Sequence, residues 1–221
     1  GLIKFYKAAQ NNGIKPICGC DFIIRDTEDE SKTSIITLFA MNTEGYRNIT
    51  LLISMGYQTG QKLGIPYVEK SWFEGCSNGV IALSGAKFGE IGQDLLANRI
   101  QEAEENLIFW MNLFPDRFYL ELQRTGRNAD ERYLHKALAL SEKFDCPLVA
   151  TNDVRFLNRD QFDVHEARVC IGESRALDDP RRKRIYNDEQ YLRSPEEMHE
   201  LFSDIPEALE NTVEIAKRCN L

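Results

Sequence analysis

The sequence lacks the short motifs that most often identify a nucleotide-binding or hydrolytic protein. No G-x-G-x-x-G or G-x-x-x-x-G-K-[ST] run follows an apolar stretch, which argues against dinucleotide-binding and P-loop folds. The chain has three histidines and no H-x-H, H-E-x-x-H or H-x-x-E-H motif, so a metal centre built from it alone would be poor in nitrogen ligands. Ser84-Gly85 lacks the G-x-S-x-G context of a serine hydrolase.

Paired cysteines, long apolar stretches and an excess of positive charge are also missing. The six cysteines form no C-x-x-C pair and most stand beside apolar residues, which predicts buried free thiols and a cytosolic, cytoplasmic protein. No stretch is long and apolar enough to span a bilayer, so we expect no membrane partner. The net charge of −8 argues against a surface built mainly to wrap nucleic acid.

The sequence does contain an alternation of helical and strand-like segments. With 221 residues, of which 43% are hydrophobic, the chain is long enough to bury a full core. These runs show no clean polar alternation, which predicts parallel strands covered by helices, as in an α/β barrel or a doubly wound sheet. The missing nucleotide motifs favour the barrel. The predicted strands are 17–24, 34–40, 79–84, 118–122 and 147–151.

Three of the predicted helices have clear start signals. Asn128 with Glu131 resembles a capping box. Ser194 supplies a second N-cap, followed by Pro195 at the first helical position and an acid at the third. Pro206 opens the last helix in the same manner.

Polar side chains lie within or directly after several predicted strands. Asp21, Ser84, Glu121 and the pair Asn152-Asp153 occupy such positions. In an α/β barrel, polar groups placed after the strands gather at one face, where functional sites are built. We therefore expect a site at that face.

Each carboxylate in this set has two interpretations. Asp153 is either a ligand for a divalent metal or a cap for the turn that follows its strand, and the cap is the commoner use of such a residue. Asp21 has the same alternatives. Glu121 lies inside an apolar strand, where a buried acid needs a partner, so it is either a metal ligand or a member of a buried salt bridge.

The strongest basic run is Arg181-Arg182-Lys183-Arg184. Most short runs of this kind are solvated loops. The alternative is a patch that contacts nucleic acid or an acidic partner. The sequence leaves both interpretations open.

Several segments resemble, in the same order, segments of bacterial DNA polymerase III alpha subunits. The family patterns are G-x-K-P-x-x-G-x-E, N-x-x-G-Y-x-N, I-A-L-S-G, F-Y-L-E-L and A-T-N-D-V. The matching segments are 13–21, 42–48, 81–85, 118–122 and 150–154. The run 204–219 is similar to the one that leads into the polymerase palm. Each match is short, but together they cover nearly the whole chain.

The resemblance implies an α/β fold of known type. It implies a distorted (β/α)7 PHP-type barrel in residues 1–190, incomplete at its N-terminal strand, and a helical connector toward the polymerase palm in residues 191–221. The chain starts without Met and directly in a helical pattern, so we expect a piece of a longer subunit.

The resemblance also implies a biochemical setting. The parent subunit would be a DNA-directed DNA polymerase, a Mg-dependent nucleotidyltransferase of DNA replication. The expected partners are the remainder of that subunit, the proofreading exonuclease (epsilon) subunit and, through the holoenzyme, DNA. This piece contains none of the family's polymerase carboxylate motifs, so we expect it to be inactive alone.

At the positions where active PHP relatives bind metals, this chain departs from the pattern. Asp21 stands in place of Glu, Ile35 and Arg155 in place of His, and Ala86 in place of Cys. A guanidinium among Asp21, Asp153 and Glu121 would neutralise carboxylates that a metal otherwise serves.

We therefore expect a degenerate PHP site of Asp21, Glu121, Asp153 and Arg155 on a non-catalytic scaffold, with no cofactor in this piece. The alternative is an active metal-dependent PHP phosphoesterase, which would carry Zn or Mn. A third hypothesis is a stand-alone α/β protein that binds a small phosphorylated ligand.

Overall fold

The computed structural model describes residues 1–27, 29 and 31–221. Its centre is a five-stranded sheet in the order β1-β2-β5-β6-β7, with a separate two-stranded hairpin formed by β3 and β4. The strands are β1 (Gly19–Arg25), β2 (Thr33–Ala40), β3 (Gln61–Lys62), β4 (Ile65–Pro66), β5 (Val80–Leu83), β6 (Phe118–Gln123) and β7 (Leu148–Thr151).

Helices follow most of these strands and cover the sheet. The α-helices are α1 (Leu2–Asn11), α2 (Thr43–Gln58), α3 (Glu90–Leu96), α4 (Ile100–Leu113), α5 (Asp130–Phe144), α6 (Phe162–Glu173), α7 (Pro195–Leu201) and α8 (Pro206–Arg218). Short 3-10 helices occupy Lys70–Gly75, Ala86–Phe88 and Arg159–Gln161. In the part of the chain that the structure describes, no helix is long and apolar enough to cross a membrane.

The predicted strands are all present, but their predicted parallel direction is correct only for half of the sheet. β5, β6 and β7 run parallel, whereas β1 pairs with β2, and β2 with β5, in antiparallel fashion. A short loop joins β1 to β2, and short loops allow antiparallel pairing, whereas parallel strands need a crossover such as α4 or α5. The prediction went wrong because β2 has apolar residues on both faces, so its sequence has no polar alternation.

The apolar core lies on both faces of the sheet. Val80 and Ala82 of β5 belong to a large cluster between the sheet and its helices. Ile81 and Leu83 point to the opposite face, where Ile215 of α8 packs against them in a smaller cluster. Residues 191–221, predicted to be a connector, thus include a helix packed on the sheet; the domain boundary itself stays a prediction.

The predicted helix starts have different outcomes. Ser194 accepts a hydrogen bond from the amide of Glu197 in a full capping box, and Pro206 is the first residue of α8, so both predictions are confirmed. The predicted cap at Asn128 is wrong. α5 begins at Asp130, after Ala129 in a left-handed conformation (φ 72°). The Asp130 carboxylate holds the preceding loop by accepting hydrogen bonds from the amides of Thr125 and Arg127.

The cysteines agree with the sequence prediction. All six are free, and all except the half-buried Cys20 are buried. Burial raises the pKa of the Cys146 thiol to about 12, so this group stays protonated and behaves as a small apolar side chain.

Candidate functional site

A cavity of about 290 Å³ opens where β6 and β7 end. It contains Asp21 from β1, Glu121 from β6, and Asp153 and Arg155 from the segment after β7, so the structure brings the four predicted site residues together. Ser84 is buried beside the cavity, where its hydroxyl accepts a hydrogen bond from the Glu121 amide. The remaining lining residues are Ile35, Thr37, Phe39, Leu83, Gly85, Phe88, Gln123, Thr151, Asn152 and Val154.

Asp153 is held by two guanidinium groups. Its Oδ1 lies 2.6 Å from Nη2 of Arg155, and its Oδ2 lies 2.8 Å from Nη1 of Arg127. The Asp153 backbone is in the left-handed region (φ 44°), which aspartate tolerates better than most residues. Both carboxylate oxygens therefore already have a positively charged partner.

A third group completes the environment of Asp153. Gln190 is fully buried, and its side-chain amide donates to Asp153 Oδ2 at 2.8 Å. The backbone around Gln190 is tied down as well, because the amide of Arg155 donates to the Gln190 carbonyl at 2.8 Å. Asn152 donates to the carbonyls of Glu189 and Tyr191 on either side of Gln190.

These bonds fasten the irregular segment 174–194 over the end of the sheet. We call this segment the strap. The side-chain amide of Asn187, a residue of the strap, donates to the carbonyl of Thr125 at 2.6 Å and so connects the strap to the loop after β6. The residues that follow β6 and β7 are thereby locked to each other through the strap and through the ion pair between Arg127 and Asp153.

Glu121 is accommodated in a different way. Its side chain is buried and accepts hydrogen bonds from Gln123 and Thr151. Among the residues that the structure describes it has no cationic partner, so the buried salt bridge considered from the sequence is not found. Burial raises the pKa of Glu121 to about 7, opposed by the two hydrogen bonds and assisted by the negative charges of Asp21 and Asp153.

Asp21 is also without an ion pair in the described part of the chain. Its Oδ1 accepts a hydrogen bond of 2.7 Å from the hydroxyl of Thr37 on the neighbouring strand. Of the three carboxylates, Arg155 therefore forms an ion pair with Asp153 alone in the described part of the chain.

The donor set does not fit a metal centre. At the positions where a PHP metal site would place His and Cys, Ile35 lines the cavity and Ala86 is buried in the 3-10 turn after Gly85. In the described ranges no three His, Cys, Asp or Glu side chains converge as a metal-binding group. The three histidines lie elsewhere: His135 and His199 are exposed, and His165 is buried in α6.

The basic run 181–184 is not a uniform patch. The side chain of Arg182 is 4% exposed and pairs with Glu166 of α6 at 2.6 Å. Arg181 pairs with Asp179 in its own loop, while Lys183 and Arg184 are exposed. Both interpretations of the run stay open for its exposed members, but Arg182 is a structural residue of the interior.

Sequence reasoning missed Arg127 and Gln190, the two partners of Asp153 that come from distant segments. Arg127 carried a weak signal, because it follows the end of β6 by four residues and so lies at the same face as Asp153. Gln190 carried none, since it stands in the strap, far from any strand.

Comparison with known proteins places this arrangement in a family. The model of the PHP domain matches residues 1–125, and the chain belongs to the PHP domain family. Over its whole length the chain is similar to bacterial DNA polymerase III alpha subunits, which confirms the family predicted from the sequence. The identity is 57% over 220 residues with the subunit of Pseudomonas aeruginosa, and 49% over 221 residues with those of Vibrio cholerae and Escherichia coli K12. In each case the match covers 100% of this chain and 19% of the relative.

Proposed function

We propose that this chain is a non-catalytic scaffold region of a replicative DNA polymerase III alpha subunit. The observation that carries the proposal is the environment of Asp153, whose two oxygens are engaged by Arg127, Arg155 and Gln190. Two guanidiniums at bonding distance supply the positive charge that a divalent ion would otherwise supply to this carboxylate.

The same contacts support a particular role for the scaffold. The bonds to Asp153 and Gln190 join the loops after β6 and β7 to the strap, and a network of this kind fixes one arrangement of otherwise irregular backbone. In the parent subunit this rigid face would support the polymerase core, which carries out Mg-dependent nucleotidyl transfer in DNA replication in the cytoplasm. Contact with the proofreading exonuclease subunit, and with DNA through the holoenzyme, belongs to the same proposal.

The first experiment measures divalent metal in the intact alpha subunit, purified without chelators, together with hydrolysis of a generic phosphodiester. We expect zinc and manganese far below one equivalent and no phosphoesterase activity. The control variant is Asp153→Asn, which removes a carboxylate without changing its size. In a scaffold, this change leaves the metal content as it was and lowers the melting temperature.

The opposite result would support the alternative, an active metal-dependent PHP phosphoesterase. Stoichiometric metal that disappears in Asp153→Asn, accompanied by hydrolysis that disappears with it, would overturn the scaffold proposal. Exonuclease binding needs its own measurement, the dissociation constant of the two intact subunits, with and without substitutions on the exposed surface of this region.

A further inference from the structure

The contact between α6 and the strap contains polar atoms that the protein leaves without hydrogen bonds. Within the described ranges, two buried side-chain atoms have no partner in the protein, Nε2 of His165 and Nε of Arg182. His165 is on α6 and Arg182 is in the strap. Buried polar groups are normally hydrogen-bonded, so an exception calls for an explanation. Of these two groups, the imidazole is the one that can change its charge near neutral pH.

The His165 ring is packed between aromatic neighbours. It is 7% exposed and lies edge-on against Tyr186 of the strap, with ring centroids 4.8 Å apart. The ring of Phe156, in the segment after β7, has its centroid 5.5 Å away. A neutral imidazole is compatible with these surroundings. An imidazolium has an N–H on both ring nitrogens, so Nε2 would be a buried donor without an acceptor.

The charged groups around His165 also disfavour its protonation. The charged and titratable groups on the elements packed against the ring are Glu166 and Arg168 on α6, Asp153 and Arg155 after β7, and Arg182 and Tyr186 in the strap. Both acids are already paired with arginines. Burial, assisted by the positive charge of Arg168 and opposed by Glu166, lowers the pKa of His165 below its ordinary value of 6.5.

We propose that the contact of His165 with Tyr186 is an acid-sensitive switch, which holds the strap on α6 at neutral pH and releases it when the imidazole is protonated. The neutral ring packs on Tyr186 at no electrostatic cost, whereas the imidazolium favours a state in which water reaches it. Because the folded-state pKa is lowered, the stabilisation is fully present well above pH 6.5 and is lost as pH falls below that value.

Release of the strap would also change the cavity. The strap supplies Gln190, whose side chain donates to Asp153 and whose carbonyl accepts from the Arg155 amide. The amide of Leu192 donates to the carbonyl of Phe156 at 3.0 Å. The amides of Arg155 and Leu192 therefore report whether the strap is in place. The inference goes beyond the proposed scaffold function, and the metal measurement at neutral pH does not depend on it.

The test is amide hydrogen exchange of the intact alpha subunit at pH 7.5 and pH 5.5, corrected for the intrinsic exchange rate at each pH. We expect protection of segments 153–158 and 174–192 to fall several-fold at the lower pH, and by no more than about tenfold for one pH unit below 6.5. His165→Phe keeps an aromatic ring that cannot be protonated, so its protection should be the same at both pH values. Equal protection in the unmodified subunit, or an undiminished loss in His165→Phe, would overturn the proposal.

Two controls separate this effect from other titrations. The same substitution at an exposed histidine, His199→Phe, should retain the full response to pH, and loss of the response there would overturn the assignment to His165. Glu121 cannot produce the effect, because its raised pKa makes the fold more stable as pH falls.

A second measurement needs no variant. Deuterium exchange at the C2 position of imidazole, followed by mass spectrometry over a series of pH values, gives the pKa of an individual histidine in the intact subunit. We expect a pKa below 6.5 for His165. A pKa of 6.5 or higher would overturn the switch, whether or not His165→Phe folds.

Discussion

Asp153 and Glu121 line the same cavity, and the protein accommodates their charges in opposite ways. Asp153 has two arginine partners and one amide donor. Glu121 has two neutral hydrogen-bond donors, and burial raises its pKa to about 7. The comparison shows that a carboxylate with little exposure is tolerated either with its own cation or with neutral donors and a raised pKa, and that one site can use both solutions.

The difference follows from where each residue lies in the fold. Asp153 is in a loop, within reach of long side chains from the loop after β6 and from its own segment. Glu121 is in the middle of a central strand, where the neighbouring positions are strand residues such as Gln123 and Thr151. Neutral groups on the same strand and on the adjacent one can donate hydrogen bonds, but they supply no charge.

The largest effect is expected when Asp153 loses the more buried of its two cations. Arg127 is 10% exposed, so Arg127→Met leaves a carboxylate poorly compensated and should lower the free energy of unfolding by roughly 3 kcal/mol. Denaturant unfolding measures this loss. The double variant Arg127→Met with Asp153→Asn should lose less than the sum of the single changes, and strict additivity would mean that the two groups do not interact.

Glu121 should make stability depend on pH. The folded-state pKa is raised to about 7 from 4.5, so its contribution is fully present below pH 4.5 and is lost as pH rises through 7. The loss between pH 5 and 8 is on the order of 3 kcal/mol at most. Glu121→Gln removes the titration, so its unfolding free energy should change less over this range. Parallel pH profiles for the two proteins would contradict the assignment.

Arg155 provides a smaller effect on the same carboxylate. Its side chain is 38% exposed, so solvent screens the ion pair with Asp153 and Arg155→Ala should cost about 1 kcal/mol or less. The two arginines contact the same carboxylate and differ in exposure. Comparing the losses in unfolding free energy of the two variants therefore tests whether burial decides how much each ion pair stabilises the fold. Equal losses in Arg155→Ala and Arg127→Met would show that burial does not decide it.

The smallest effect is expected in the basic run. Lys183 and Arg184 are exposed, so replacing both with Ala should change the unfolding free energy by about 0.5 kcal/mol or less. Arg182→Met is the contrasting variant, because its guanidinium pairs with Glu166 in the interior, and it should lower the free energy of unfolding by more than the double Ala change does. If Lys183→Ala with Arg184→Ala weakens exonuclease or DNA binding of the intact subunit, the contact hypothesis for this loop gains support.

The fold could be predicted where the local sequence pattern favours the same structure as the packing of the whole chain. The strands at 79–84 and 118–122 were found because residues buried on both faces give unbroken apolar runs. Ser194 was correctly predicted as a cap because its hydrogen bond is to a residue three positions on. Asn128 was wrongly predicted because the helix begins at Asp130, whose carboxylate accepts from the amides of Thr125 and Arg127, and only the conformation of this loop decides where the helix starts.

By itself the sequence determined the family, the positions of the sheet strands and the convergence of Asp21, Glu121 and Asp153 at one face, because these depend on short-range patterns and on the rule that strand ends meet. Tertiary structure decided the direction of β1 and β2, the ion pair of Asp153 with Arg127 from the loop after β6, and the burial of Gln190. The contacts of Asp153 with Arg127 and Gln190 join segments tens of residues apart, and a sequence pattern holds no information about the distance between such segments in space.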